Sequence, residues 1–461
     1  MSMTSTEIAS RLAEIAGAAN VASDPAQTAA YRVDGKTPAA VARPGSSEEV
    51  AGIVKFAAAE RLAIIPTGAR TKLGIGMPPR QYDLALDMTG LDRVVAYDPG
   101  DLTLSVEPGI TLRKLESVLG EHKQFLPLEV PFMDRATAGG TIASGVDSPL
   151  RQLYGTARDY LLGMEFVTGD GVATKSGGRV VKNVTGYDIH KLMAGALGTL
   201  GVITKINLRT FPMPRMTRTY VATFRWANGA CEFRHAIARS HLRPQSIEII
   251  AARDSSLLRL DDRPEALFDK GRWSVLVSAA GEAGVLDRYR SELETLARGA
   301  DRNALESFTE LSDADQERLT SYIREFPALA PKASQPAAIL KISALPKSLV
   351  GLAEGIRSMA IKHDVPWAVM MRGVGVTYLA LMARDQSAES LRHLKDACSS
   401  ALRCCVERMW GRGVMLWCPP EFKREMNVWG ESSSDFALMQ KLKNVFDAHG
   451  IFAPGRFVGG L

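Results

Sequence analysis

The chain has 461 residues, of which 46% are hydrophobic and 23% charged, a composition typical of folded globular domains and not of a disordered chain. Its 56 Lys and Arg residues against 51 Asp and Glu residues leave a net charge of +5, too weak to indicate a nucleic-acid-binding protein. No apolar run reaches the roughly 18 residues that a membrane-spanning helix needs, and the first residues lack the pattern of a secretory signal. The five Cys residues form no C-x-x-C pair, which argues against a disulfide framework and against an iron–sulfur cluster bound by this chain.

The first half of the chain mixes helical and extended patterns. Residues 5–17 and 44–62 have helical spacing, and Ser46 or Ser47 is placed to cap the second of these helices. Extended segments rich in β-branched or aromatic residues then follow at 62–66, 84–88, 93–98 and 103–109. The pattern next predicts a helix at 111–121, an irregular segment at 131–160, a hairpin at 161–178, a helix at 188–196 and a strand at 200–211.

The pattern of predicted elements changes after Pro212 and Pro214, which mark a domain boundary. Strands are predicted beyond it at 220–224, 273–279, 337–343, 367–371 and 377–383, with helices near 231–240, 284–298, 347–363 and 435–448. This is an α+β pattern. The sequence therefore predicts a first domain at 1–214, a second at 215–414, and a C-terminal tail at 415–461 that returns to the first domain.

Four short motifs combine small residues with polar ones. The first, residues 66–72, follows a strand and offers backbone N–H groups, two hydroxyls and two cations, a set that suits a diphosphate. The second, residues 138–145, has paired glycines that allow close backbone approach. The third joins 154–159 to 181–188, and the fourth is 198–203. The first two motifs also have structural alternatives: the first could be a basic surface loop, and the second a tight packing turn.

Competing motifs are missing from the sequence. No G-x-G-x-x-G follows a strand, so a Rossmann dinucleotide site is unsupported. The stretch 171–178 has Lys-Ser but lacks the glycine that precedes the lysine of a P-loop. The seven histidines never stand at ligand spacing, so no metal site is expected. His190, beside Lys191, is interpreted as structural.

In their order and spacing, the motifs resemble the FAD-binding domain (PCMH type) of the vanillyl-alcohol oxidase type flavoproteins, and within them the FAD-binding subunits of glycolate oxidase. The similarity is carried by residues 66–76, 126–132, 138–163, 180–204 and 446–456. It covers most of 35–212 and only loosely 215–410. The resemblance implies an α+β fold: an FAD-binding domain made of two α+β subdomains, plus an α+β cap domain.

The resemblance also implies FAD as the cofactor and assigns its contacts. The diphosphate would be wrapped by Pro66, Thr67, Gly68, Ala69, Arg70, Thr71 and Lys72. The diphosphate and flavin ring would be lined by Pro131, Gly139, Gly140, Thr141, Ser144 and Gly145. The adenine or ribose side would be met by Gly201, Val202 and Ile203. Relatives with covalent FAD use a His or Cys near the first or third motif; those stretches contain neither in this chain, so noncovalent FAD is expected.

As a member of this group, the chain is expected to oxidise a 2-hydroxyacid, glycolate to glyoxylate, and to pass electrons to an iron–sulfur partner. Three departures favour a companion role beside a sister flavin subunit: there is no His-rich metal motif in the cap, Leu197 replaces an acid, and Ala453 replaces an Asn. Two alternatives stay open, a self-sufficient D-2-hydroxyacid (D-lactate-like) dehydrogenase and a non-catalytic assembly subunit. The resemblance places the complex in the cytoplasm, with any contact to the inner membrane made through partners.

The sequence gives weaker signals for the residues that would contact the substrate than for those that would bind FAD. Arg372, next to a cap strand, is the candidate partner for the substrate carboxylate. Lys182 and Tyr187 are candidates near the flavin ring, because their segment leads to the fourth motif. The structural alternatives are an ion pair of Arg372 with a surface acid and simple packing of Tyr187 on the FAD-binding domain.

Overall fold

The structure is a computed structural model, and it describes residues 3–180, 186–253, 271–301, 303–407, 411–432 and 434–461. The chain divides into two compact units. The first unit comprises Met1–Asp147, Thr156–Met213 and Glu431–Leu461, and the second comprises Ser148–Gly155 and Pro214–Gly430. In the part of the chain that is described, no helix has the length and apolar character needed to cross a membrane.

Nineteen strands and thirteen α-helices make up the secondary structure of the described residues, numbered in chain order. The strands are β1 (Val21–Ala22), β2 (Ala40–Ala42), β3 (Ile64–Thr67), β4 (Leu84–Asp87), β5 (Val94–Asp98), β6 (Thr103–Val106), β7 (Gln124–Phe125), β8 (Leu161–Val167), β9 (Ala173–Gly177), β10 (Val202–Arg209), β11 (Phe211–Pro212), β12 (Met216–Phe224), β13 (Ser246–Ala252), β14 (Trp273–Gly281), β15 (Leu305–Glu310), β16 (Ala337–Ser343), β17 (Trp367–Arg372), β18 (Val376–Met382) and β19 (Arg412–Trp417). The α-helices are α1 (Ser5–Ala16), α2 (Pro25–Thr28), α3 (Ser47–Glu60), α4 (Leu112–Gly120), α5 (Ala138–Ser144), α6 (Arg151–Tyr154), α7 (His190–Met193), α8 (Ala227–Arg239), α9 (Ala283–Ala300), α10 (Asp313–Glu325), α11 (Leu349–Lys362), α12 (Ala388–Glu407) and α13 (Phe436–Phe446).

The first unit contains two larger sheets. One has the order β1-β2-β4-β3, in which β4 pairs in parallel with both β2 and β3. Its apolar side chains pack with those of α1 and α3, so that Leu12, Ile53 and Ile64 are fully buried. Burying such a side chain contributes roughly 1.5–3 kcal/mol. The other sheet is antiparallel, with the order β5-β6-β10-β8-β9.

The C-terminal segment completes the first unit. Ile64 of β3 donates its backbone N–H to Ile451 at 2.8 Å and accepts the N–H of Ala453 at 2.8 Å. The side chain of Phe452 between them is buried in the same core as Ile64. Residues 451–453 therefore pair with β3, the strand that leads into the first sequence motif.

The second unit is built on one antiparallel eight-stranded sheet with the order β15-β12-β14-β13-β17-β18-β16-β19. Its central strands β13, β17 and β18 are buried along their whole length. The apolar cluster of Ile250, Met370 and Tyr378 continues into Tyr322 and Phe326 at the end of α10. Sheet and helices together give the α+β architecture that the sequence predicts.

Most local predictions for the first unit are confirmed. Ser46 caps α3 by accepting the backbone N–H of Glu49, and β8 and β9 form the expected hairpin. The prediction of an irregular segment at 131–160 was wrong in part, because the segment contains the helices α5 and α6. Helix α5 forms despite the poor helix propensity of its two glycines, because its N-cap is satisfied. The Thr137 side chain accepts the backbone N–H of Gly140.

Candidate cofactor-binding site

The first unit contains an open pocket lined by glycine-rich, cationic and apolar residues. Its walls are formed by the loop after β3, by α5 and by the turn before β10. The lining residues are Pro66, Thr67, Gly68, Ala69, Arg70, Thr71, Lys72, Leu73, Met88, Pro108, Thr137, Gly139, Gly140, Ala143, Ser144, Met193, Ala196, Leu197, Gly198, Leu200, Gly201, Ile203 and Arg456.

The loop after β3 and the start of α5 touch at the floor of the pocket. A Cβ atom on Gly68 would lie 2.1 Å from Oγ1 of Thr137, which is closer than real Cβ contacts allow. That same Oγ1 atom accepts the N–H of Gly140 at 3.2 Å. Gly139 is also crowded, since a Cβ there would lie 2.6 Å from Cβ of Pro108. At 68 only glycine permits the close approach of the first motif to Thr137, and at 139 only glycine permits the approach of α5 to Pro108.

Arg70 is held at the pocket by an aromatic ring and a buried acid. Its guanidinium carbon lies 4.4 Å from the ring centroid of Tyr31, and Nη1 lies 3.6 Å from Oδ2 of Asp87. The hydroxyl of Tyr31 donates to the same Oδ2 atom at 2.5 Å. Burial and this hydrogen bond raise the pKa of Tyr31 to about 12, so the hydroxyl remains a donor at neutral pH. A cation–π contact and an ion pair together fix the position of the Arg70 charge.

The turn before β10 is fixed from behind. Thr199 lies between two lining residues, and its own side chain is buried and donates to the carbonyl oxygen of Ala196 at 2.7 Å. The carbonyl oxygen of Thr199 accepts a hydrogen bond from Nζ of Lys443 at 2.7 Å. The neighbours Gly198 and Leu200 therefore present their surfaces to the pocket from a constrained turn.

Arg456 joins the pocket from the C-terminal segment. Its side chain is buried, and Nη2 donates to the carbonyl oxygens of Leu73 and Ile75, each at 2.5 Å. Burial lowers the pKa of the Arg456 guanidinium. The pocket thus has three cationic lining residues, Arg70, Lys72 and Arg456, alongside apolar ones such as Met88 and Ile203.

The structure brings most of the predicted cofactor residues together. Those that line the pocket are Pro66, Thr67, Gly68, Ala69, Arg70, Thr71, Lys72, Gly139, Gly140, Ser144, Gly201 and Ile203. Those that do not are Pro131, Thr141, Gly145 and Val202. Thr141 and Val202 are buried in the unit beside lining residues, while Gly145 is exposed. The alternatives of a plain surface loop and a plain packing turn do not account for two motifs that share one pocket.

Sequence reasoning missed several lining residues. Gly198 and Leu200 lie in the fourth motif, so the motif itself was a sufficient signal for them. Thr137 was marked by its position as a potential helix cap before the paired glycines. Arg456 ends the segment 446–456 that carries part of the resemblance, but nothing in the sequence assigns it to the pocket, which it reaches only through the fold.

The structure describes two of the three substrate-side candidates, one in each unit. Lys182 lies outside the described residues. The side chain of Tyr187 is 90% exposed in the first unit, where its carbonyl oxygen accepts a hydrogen bond from Ser176. Arg372 ends β17 in the second unit, is buried, and donates from Nη1 to Oε1 of Glu248 at 2.7 Å.

His190 has the structural environment that was expected for it. The ring nitrogen Nδ1 lies 3.0 Å from Oγ of Ser176, and the side chain is buried in the first unit. Burial lowers the pKa of the imidazole below its usual value, so the neutral form is favoured. Over the ranges that the structure describes, no cluster of three His, Cys, Asp or Glu side chains is placed to hold a metal ion.

Comparisons with known proteins identify both parts of the chain. Residues 38–177 match the FAD binding domain family, and residues 213–393 and 423–457 match the C-terminal domain of the FAD linked oxidases. The glycolate oxidase subunit GlcD of Bacillus subtilis is 25% identical over 98% of this chain and 97% of its own length. A D-lactate dehydrogenase of Archaeoglobus fulgidus is 31% identical over 63% of this chain and 65% of its own length. The solved structure of p-cresol methylhydroxylase with substrate bound shares the fold, with a TM-score of 0.78, 16% identity, and coverage of 98% of this chain and 96% of that one.

Proposed function

The chain belongs to the FAD-linked oxidases and is an FAD-dependent oxidoreductase acting on CH–OH groups, and from this premise we propose that it oxidises glycolate to glyoxylate as the FAD-binding subunit of a larger complex. The predicted family and fold class are confirmed. Oxidation of a 2-hydroxyacid is the activity that the names of its relatives have in common. Glycolate is preferred because GlcD matches 98% of this chain, against 91% for a D-2-hydroxyglutarate dehydrogenase of Xanthomonas citri and 63% for the D-lactate dehydrogenase.

The pocket of the first unit is the single observation that carries the proposal. Its chemistry fits FAD, since cations and a glycine-rich backbone suit a diphosphate while the apolar lining suits the rings. The crowded glycine at 68 fits as well, because it lets the loop after β3 approach Thr137, the N-cap of α5, so that both segments can share one ligand. We assign the diphosphate to residues 66–72 together with Gly139, Gly140 and Ser144, and the adenine or ribose side to Gly201 and Ile203.

FAD supplies the two-electron acceptor for the oxidation, and the chain has to supply substrate binding and proton transfer. A 2-hydroxyacid presents a carboxylate and a hydroxyl group. The carboxylate calls for a cation with directed donors, for which Arg372 is our candidate. The hydroxyl proton calls for a base, for which Lys182 and Tyr187 remain the candidates.

We propose that FAD is bound noncovalently. The described residues that line the pocket include neither His nor Cys, the side chains that form flavin linkages in covalent relatives. The FAD-loaded chain is therefore expected to release all of its flavin when it is precipitated with acid. The absorbance of the supernatant measures the release, and yellow colour retained in the washed pellet would contradict noncovalent binding.

The role of Arg372 as a carboxylate clamp can be separated from its role in the fold. A guanidinium carries five N–H donors, so one arginine can pair with an acid of its own chain, as Nη1 does with Glu248, and also with a substrate carboxylate. Arg372→Met is expected to lower kcat/KM for glycolate by roughly 10- to 100-fold, the effect of losing a charged hydrogen-bond partner. The FAD spectrum should be retained.

The matched comparison uses an uncharged substrate. Glycolamide lacks the carboxylate, so the preference of the wild type for glycolate over glycolamide should collapse in Arg372→Met. Glu248→Gln keeps the arginine and should keep the preference. If Arg372→Met keeps the wild-type preference for glycolate over glycolamide, Arg372 does not bind the substrate carboxylate. Its role would then be limited to the ion pair with Glu248.

Two partners follow from the proposal, a sister flavin subunit and an iron–sulfur subunit that receives the electrons. The GlcD relative is itself named as a subunit of glycolate oxidase, which supports an assembly. Contact with the inner membrane would then be made through these partners. The D-lactate dehydrogenase relative supports the alternative of a self-sufficient enzyme acting on a D-2-hydroxyacid.

Turnover with an artificial dye acceptor decides between these alternatives. The purified chain is assayed with glycolate, D-lactate and D-2-hydroxyglutarate, alone and after co-purification with its partner subunits. We expect glycolate turnover in the complex and little in the isolated chain. Full turnover of D-lactate by the isolated chain would establish the self-sufficient enzyme instead, and a complex that turns over glycolate although this chain binds no FAD would establish the assembly subunit.

A further inference from the structure

Two buried cations of the C-terminal segment, Lys443 and Arg456, hydrogen-bond to the chain segments that line the cofactor pocket. Lys443 is on α13, and Arg456 lies beyond the end of that helix. Their residues are only 7% and 4% exposed. Both fall outside residues 38–177, the part of the chain that matches the FAD binding domain family. Burying a charge is unfavourable unless it is compensated, so the partners of these two side chains are informative.

Lys443 holds the turn that precedes β10. Its ammonium group donates to the carbonyl oxygen of Thr199 at 2.7 Å, to that of Phe452 at 2.9 Å and to Oδ2 of Asp447 at 2.6 Å. An ammonium group has three donors, so this set satisfies it. Because Thr199 stands between two residues that line the pocket, Lys443 fixes the position of that wall.

Asp447 in turn fixes Lys443 and the segment around it. Its Oδ1 accepts the backbone N–H of Ile451 at 3.0 Å, and its Oδ2 accepts that of Phe452 at 2.8 Å. These are the residues that run beside β3. The lysine is therefore anchored to the same stretch of chain that leads into the first motif.

Arg456 holds the other wall. Both carbonyl oxygens that accept from its Nη2 atom, those of Leu73 and Ile75, belong to the loop after β3. Its own carbonyl oxygen accepts the N–H of Met77 at 3.0 Å, which ties the far end of this loop to the C-terminal segment. A purely structural cation could bond to any carbonyl, whereas these two cations bond to two separate segments that both line the pocket.

Resting on the proposed FAD site, we infer that Lys443 and Arg456 are positioning residues that hold the two pocket walls in their cofactor-binding geometry. The affinity for FAD then depends on the C-terminal segment as well as on the glycine-rich motifs. The cofactor meets the wall that each cation supports, and Arg456 also contributes its own surface to the pocket.

The test compares Lys443→Met and Arg456→Met with Lys441→Met in the full-length chain freed of FAD. Lys441 is on the same helix and is exposed, so it controls for loss of one positive charge. FAD fluorescence titration gives the affinity, and hydrogen exchange read by mass spectrometry gives local opening without cofactor. We expect FAD to bind at least about tenfold more weakly to each buried-site variant, as for a lost charged hydrogen bond. Exchange should quicken at 196–201 in the first variant and at 70–76 in the second.

The outcomes separate this inference from the function that it rests on. Variants that bind FAD like the wild type, or whose faster exchange spreads evenly over the first unit, would overturn the positioning role while leaving the FAD site intact. A wild-type chain that binds no FAD would overturn the proposed function itself. If the methionine variants lose the native exchange pattern altogether, Lys443→Gln and Arg456→Lys decide by the same criteria, because each removes part of the donor set that holds the carbonyls while it disturbs the packing less.

Discussion

Gly68→Ala is expected to weaken FAD binding by roughly one to two orders of magnitude, because overpacking a tight contact costs about 1–3 kcal/mol. The added methyl group would lie 2.1 Å from Oγ1 of Thr137, a β-branched side chain that also caps α5. Neither partner can move without separating the loop after β3 from the paired glycines. The loss should be measured by titrating the FAD-free chain with FAD and following the flavin fluorescence.

The control for this variant is Gly120→Ala. Gly120 is the last residue of α4, is exposed, and a Cβ there meets no atom within 4 Å. Its FAD affinity should equal that of the wild type, with stability unchanged or slightly higher because alanine is the better helix former. An affinity unchanged in both variants would mean that the contact between the two motifs does not shape the site.

Glu248→Ala is expected to destabilise the protein by about 3–5 kcal/mol, since it removes the carboxylate that is paired with a buried guanidinium. Glu248 and Arg372 are direct cross-strand neighbours on β13 and β17, and their side chains are 1% and 2% exposed. At about 2–4 °C per kcal/mol for a unit of this size, the melting temperature should fall by roughly 6–20 °C. Scanning calorimetry measures the shift.

A surface ion pair of the same unit provides the comparison. Asp364 and Arg384 form a pair whose side chains are 62% and 53% exposed, so Arg384→Ala should cost no more than about 1 kcal/mol. The double variant Glu248→Met with Arg372→Met should recover most of the loss, because it removes both buried charges. Equal losses of stability in Glu248→Ala and Arg384→Ala would show that burial of the first pair does not increase its contribution to stability.

Local chemistry explains which parts of the cofactor site could be predicted from the sequence. The loop at 66–72 and the paired glycines each carry their own signal, namely small residues beside hydroxyls and cations. That both line one pocket is a result of the fold. Four predicted neighbours, Pro131, Thr141, Gly145 and Val202, lie off the lining because sequence proximity does not fix which way a residue faces.

Long-range partners could not be predicted. Arg372 was singled out beside a cap strand, but its partner Glu248 is 124 residues away, and only strand register brings the two together. Strand β13 was not among the predicted strands; all of its residues are buried, and polar and apolar residues alternate only over its first four positions. The return of the C-terminal tail to the first domain was predicted, but no local pattern indicates which carbonyl oxygens Lys443 and Arg456 bind there.

The visible spectrum of the purified chain, recorded without oxygen before and after adding glycolate, tests the central claim most directly. The chain is first incubated with FAD and freed of excess cofactor. The account predicts a bound, oxidised flavin that loses its absorbance when glycolate and the partner subunits are both present. A chain that stays colourless after incubation with FAD, or a flavin that stays oxidised with every 2-hydroxyacid even in the complex, would contradict it.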